Sequence, residues 1–120
     1  MSTLTAMSAA GHFSQTYSEA RAKFLAAAQG AGLDPEPHWH PLLGRDGERL
    51  AMDVVRQGPR RARQLLIISS ACHGVEGFAG SGIQTGLLSD AGWLAQGQAS
   101  GVAILYIHAL NHMAFPGGGG

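Results

Sequence analysis

With 120 residues, of which 45% are hydrophobic, the chain is long enough for one domain with a core of its own. A formal net charge of +0 and only 13% charged residues exclude the concentrated basic surface of a nucleic-acid binder. One cysteine, Cys72, excludes an internal disulfide framework, and no apolar stretch is long enough to span a bilayer.

The opening "MSTLTAMSAAGHFSQ" lacks the basic region and long apolar run of a signal peptide, so residues 1–12 read as a flexible leader of a cytoplasmic protein. In "FSQTYSEARAKFLAAAQGAG", Phe13, Tyr17, Ala20, Phe24, Leu25 and Ala28 recur at helical spacing, with Ser14 as candidate N-cap and Gly30 and Gly32 as the stop. Three prolines hold "DPEPHWHPLLG" extended, and Asp46-Gly47 then turns the chain. The alternation in "ERLAMDVVRQG" predicts a half-buried strand that pairs with the extended segment as a hairpin. Arg56, Arg60, Arg61 and Arg63 read as a solvated turn leading into the next strand. The continuous apolar run "QLLIISSA" predicts a strand covered on both faces, as in a parallel sheet.

Next, "GFAGSGIQTGLLSDAGWL" reads as a glycine-rich entry to a short helix, and "GVAILYIHAL" as a second buried strand ending at His108. Strand, loop, helix and strand make a βαβ unit with an expected right-handed crossover, so the fold class is α/β. The closing "PGGGG" is low-complexity and packs no core.

Ligand sites of open α/β sheets lie beyond the carboxyl ends of strands, where "ACHGVEG" stands. His73 and Glu76, three residues apart among glycines, can turn an imidazole nitrogen and a carboxylate oxygen toward one ion, a donor pair that suits zinc. The spacing alone is a weak signal; its place after an apolar strand strengthens it. The competing structural account makes this stretch a connector in which Glu76 caps the helix; it explains Glu76 well and His73 poorly. In the ligand-site reading, the helix that follows would also offer free amides near Gly80 and Ser81. The glycines Gly77, Gly80, Gly82 and Gly86 match neither the dinucleotide fingerprint nor the P-loop, and no lysine follows them. Cys72 and His73 are neighbours in a strand-like segment and point to opposite sides, so Cys72 reads as a small buried residue rather than a nucleophile.

The segments "FSQTYSEARAKFLAAAQGAG", "SSACHGVEGFAGSGIQ" and "YIHALN" together resemble the amino-terminal third of a bacterial family of uncharacterised, zinc carboxypeptidase-like proteins, over about Phe13 to Asn111. The resemblance implies a mixed sheet with flanking helices, here truncated after the βαβ unit, and a domain boundary pattern of 1–12, 13–115 and 116–120. It implies Zn2+ held by His73 and Glu76, the first two ligands of a His-x-x-Glu motif. It also implies hydrolysis of a peptide or acyl-amino-acid amide in the complete protein. The chain departs from the family at His112, Met113 and Ala114 before Phe115. The family's Asn-Arg pair, third ligand histidine and glutamate base have no counterpart here.

Of the other histidines, His38 and His40 share one face of the extended segment and His112 falls in the tail. His108 is the best-placed local candidate for a third ligand. The expected function is therefore the amino-terminal part of a zinc-dependent amidohydrolase, inactive on its own. The alternatives are a non-catalytic remnant or interaction module with a vestigial metal loop, and an unrelated domain using Cys72 or the helix amides. Two strands taken from a larger sheet would leave apolar edges, so self-association is expected, with no nucleic acid or membrane as partner.

Overall fold

A computed structural model describes residues 11–14, 16–44, 46–71 and 74–110. The outer parts of the expected leader and the whole glycine-rich tail lie outside them.

Helix α1 (Tyr17–Gly30) begins at Thr16, whose side chain accepts a hydrogen bond from the Glu19 amide at 3.1 Å. Thr16, two residues after the expected Ser14, is thus the N-cap: threonine followed three residues on by glutamate is a capping-box sequence. Ser14 is instead buried. The helix ends as expected, with Gly32 at φ 77° and the Leu33 amide returning to the Ala28 carbonyl at 2.9 Å. Its buried face is Tyr17, Ala20, Phe24 and Ala28, the spacing read in the sequence.

Strands β1 (Glu36–Leu43) and β2 (Arg49–Gln57) form the expected antiparallel hairpin. Pro37 and Pro41 are tolerated because β1 is an edge strand. Strand β3 (Leu65–Ala71) leads to helix α2 (Gly74–Leu88), helix α3 (Ala91–Ser100) and strand β4 (Ala103–Leu110). The sheet order is β1-β2-β4-β3, with β4 antiparallel to β2 and parallel to β3. The class is α/β, as expected: a four-stranded mixed sheet with flanking helices.

All three helices lie on one face of this sheet. Ala51, Asp53, Val55 and Gln57 of β2 point to that face, where they meet Tyr17 and Arg21 of α1, Phe24 and Ala28 of α1, and Leu94 of α3 in turn. Ile104, Tyr106 and His108 of β4 point the same way. Phe24, Ala28, Val55, Leu88, Ile104 and Tyr106 form the main core cluster. Full burial of a side chain such as Phe24 contributes about 2 kcal/mol. A polar set closes its far end: the Trp93 indole donates to the Tyr106 hydroxyl at 2.9 Å, and that hydroxyl donates to the buried Gln57 side chain.

The expectation that "QLLIISSA" is covered on both faces fails. Leu65, Leu66 and Ile67 are 52%, 43% and 54% exposed. Strand β3 is an edge, and no described helix covers the second face of the sheet. The other departure is the single short helix expected after the glycines. The described chain has two helices here, divided where Asp90 accepts from the Trp93 amide and caps α3. The four arginines from Arg56 to Arg63 are exposed, as expected of a solvated turn.

Candidate functional site

Because β3 and β4 are parallel neighbours, their carboxyl ends reach the same edge of the sheet, and Ala71 stands opposite Leu110 there. The segment carrying the sequence-predicted donors therefore leaves the sheet where such folds place their ligands. Cys72 and His73 lie outside the described residues. Glu76 lies in the first turn of α2, and its side chain is outside them as well. His112 and Asn111 fall in the undescribed segment after β4.

The edge itself is well defined. The pairing runs Ser69 with Ile107 and then Ala71 with Leu110, so His108 and Ala109 of β4 stand against Ser70 alone. This is a bulge, a feature enriched beside active sites. Within it Ala109 has φ 63°, a left-handed conformation that costs a residue with a Cβ about 1–2 kcal/mol, yet it is buried. The bulge leaves ladder groups without partners, and side chains replace them. The Ser70 hydroxyl accepts from the Ala109 amide at 3.2 Å and donates to Gln84 Oε1 at 2.9 Å. Gln84 Nε2 donates to the carbonyls of Ile68 on β3 and Ile107 on β4, both at 2.9 Å. Gln84 is fully buried. The helix comes close enough for this because residue 80 is glycine: a Cβ there would stand 3.0 Å from the Cβ of Ser70.

His108, the local candidate for a third ligand, belongs to this packing. Its side chain is 1% exposed, its ring stacks on Phe24 at 4.5 Å, and its Nε2 lies 2.8 Å from the Ser81 hydroxyl. Two further residues of β4 follow it, so it does not stand at the strand end. His38 and His40 lie on β1, at the opposite border of the sheet from β3. Gly80 and Ser81 are interior to α2, which begins six residues before Gly80, so their amides are helix-bonded rather than free.

Among the described residues, no group of three or more His, Cys, Asp or Glu could hold a metal ion. The pair His73 and Glu76 fits zinc in donor type and falls short in number. A cavity of about 450 Å3, lined in part by Pro59, Arg61, Arg63, Gln64, Ser100 and Val102, opens at the other end of β3 and β4, away from the candidate loop. Sequence reasoning missed Ser70, Ser81 and Gln84. The readable signal was a polar stripe, Ser81, Gln84 and Thr85 before Leu88, on the face of α2 that should have been apolar.

The arrangement shares its fold with two enzymes of known structure. A zinc-dependent exopeptidase from Parabacteroides distasonis has a TM-score of 0.50 at 14% identity, over 87% of this chain and 43% of its own. A glutaminyl cyclase from Macrostomum lignano has a TM-score of 0.51 at 10% identity, over 80% of this chain and 32% of its own. At these identities the likeness is one of fold, and the chain spans under half the length of either structure. A comparison with curated proteins found no match. Residues 13–115 match the family described as "Protein of unknown function (DUF2817)", and the chain belongs to that family. No helix of the described residues is long and apolar enough to cross a membrane.

Proposed function

We propose that this chain carries the amino-terminal part of a zinc-dependent amidohydrolase of the carboxypeptidase-like kind, with His73 and Glu76 as two of the metal's protein ligands. The observation that carries this reading is the placement of their segment directly beyond Ala71, at the edge where the parallel strands β3 and β4 both end. The fold shared with the P. distasonis exopeptidase supports it. Zinc bound there would polarise a substrate carbonyl and lower the pKa of a water molecule. In this reading the chain alone is inactive; among the described residues no group of three or more His, Cys, Asp or Glu could hold the metal. Its substrate in the complete protein is a peptide or an acyl-amino acid. The lone cysteine fits a reducing, cytoplasmic setting.

Zinc titration by calorimetry tests the reading, on the chain and on His73→Ala and Glu76→Ala. Binding at 1:1 that weakens in both variants supports it. Identical titrations for all three proteins overturn it.

A second reading, an interaction module with a vestigial metal loop, is favoured by the exposed apolar residues Leu65, Leu66 and Ile67 on an edge strand. Retained self-association with no dependence of zinc binding on His73 would favour it over the first.

A further inference from the structure

Half of the chain's cations fall in one short stretch. Arg56, Arg60, Arg61 and Arg63 give residues 56–63 a charge of +4, while the other four cations and all eight acids leave the remainder at −4. No acidic residue occurs between Asp53 and Glu76, and none after Asp90. Asp90 caps the far end of α3, about 15 Å along that helix from Ser100. Among the described residues, no ion pair neutralises any of the four arginines.

This charge gathers at a hollow. Arg61, Arg63 and Gln64 line the cavity of about 450 Å3 at the amino ends of β3 and β4, together with Pro59, Ser100 and Val102. Several acceptors in its wall are already engaged from within the fold. The Pro59 carbonyl accepts from the Arg56 guanidinium at 2.7 Å, and the Gln64 carbonyl accepts from the Ala103 amide at 3.1 Å. The Ser100 hydroxyl donates to the Gly97 carbonyl at 2.7 Å and accepts from the Val102 amide at 3.2 Å. These bonds fix the wall before a ligand arrives, and the guanidinium groups of Arg61 and Arg63 stand as its strongest donors. The carboxyl end of α3 opposes an anion with a partial charge of about −0.5, which two full positive charges outweigh.

We propose that this hollow binds a small phosphorylated molecule, its phosphate held between Arg61 and Arg63. A guanidinium fork matches phosphate oxygens with paired hydrogen bonds. The volume falls within the range of small-molecule sites and exceeds what a bare phosphate ion needs. Four cations on one turn do not form the extended basic stripe that a nucleic acid requires. The hollow lies at the opposite end of β3 and β4 from the candidate metal loop, so binding here does not involve His73 or Glu76.

Calorimetric titration of the 120-residue chain with inorganic phosphate and with pyrophosphate tests the assignment. Pyrophosphate should bind 1:1, more tightly than phosphate, and should weaken as salt rises. Arg61→Gln and Arg63→Gln should each lose about tenfold in affinity, the loss expected for a charge-assisted hydrogen bond. Both side chains are exposed, so these substitutions leave the fold intact. Lys23→Gln removes the same charge from α1 and should keep the parent affinity. Equal weakening in Lys23→Gln would show that binding follows net charge alone, and overturns the proposal. Failure to saturate by about 10 mM pyrophosphate also overturns it. An oligoglutamate that binds more tightly than pyrophosphate, and loses affinity in the same two arginine variants, would replace it with a docking site for an acidic polypeptide.

Discussion

The Ser81 hydroxyl and the His108 Nε2 lie 2.8 Å apart in the layer between α2 and the sheet, with Phe24 stacked on the imidazole. That engagement gives His108 a packing role, although it stands in the bulge beside the loop edge. His108→Ala should cost about 2–3 kcal/mol in urea unfolding, from lost ring packing and an abandoned Ser81 hydroxyl. Zinc affinity, measured where the variant remains folded, should be unchanged. A loss of zinc binding equal to that of His73→Ala would restore His108 as a ligand.

Arg21 grips the buried Asp53 with two hydrogen bonds, at 2.8 and 3.1 Å, and joins α1 to β2. Trp39 of β1 lies under the same guanidinium, 4.6 Å from it. Arg21→Ala leaves an uncompensated carboxylate in the interior and should destabilise the fold by about 3 kcal/mol. Arg21→Ala together with Asp53→Ala should cost less than the sum of the single changes. Additive losses in that double-mutant cycle would show the pair to be uncoupled.

Burial pushes the Tyr106 phenol above its usual pKa, while the hydrogen bond from Trp93 acts in the opposite direction. A raised folded pKa means that the unfolded chain gives up this proton first. The stability tied to neutral Tyr106 is thus complete below about pH 10, the ordinary phenol value, and is lost as pH rises through the folded value. Tyr106→Phe should cost about 1–2 kcal/mol at neutral pH, because Gln57 and Trp93 lose a partner, and should flatten the decline above pH 10. Denaturant unfolding followed from pH 7 to 11 reads both effects. An unchanged alkaline slope in the variant would assign the decline to other groups.

The bare side of β3 makes an association prediction. We propose that Leu65 and Ile67, exposed on the bare side of an edge strand without lysine or proline, drive self-association. Ile67→Lys points its charge to the face without helices and should shift the light-scattering mass toward the monomer at concentrations where the parent chain associates. Equal masses for the two proteins would exclude this edge.

Much of this architecture could be read in advance because its signals are local. The stripe of Tyr17, Ala20, Phe24 and Ala28 gives α1, the alternation around Asp53 and Val55 gives β2, and two apolar runs give β3 and β4. What escaped depends on tertiary context. Glycines before Ile83 look like a loop, but Gly80 is small because α2 must approach Ser70. The Asp90 cap was hidden inside what reads as one continuous segment. An apolar run such as Leu65–Ile68 shows that a strand is hydrophobic, and says nothing of which side has a covering layer. At the candidate site, the apolar run ending at Ala71 made the carboxyl end of β3 legible, while the segment that carries His73 lies outside the described residues. The bulge, the left-handed Ala109 and the Gln84 bridge were not legible, since each arises from registers set by residues far apart in the chain.

Strand β4 sits between β2 and β3, yet it is the last of the described elements to be synthesised. While a ribosome makes the chain, the β1–β2 hairpin can pair as soon as it emerges, but β2 and β3 do not pair with each other and need β4 to bridge them. At roughly 5–20 residues per second, the stretch from Ala71 to Leu110 occupies some seconds. For that interval the nascent polypeptide displays the greasy β3 and one open border of the hairpin to every neighbour. Its production in cells should therefore depend on holding factors that act during translation, and slower codons within α2 and α3 should lower the yield of folded protein.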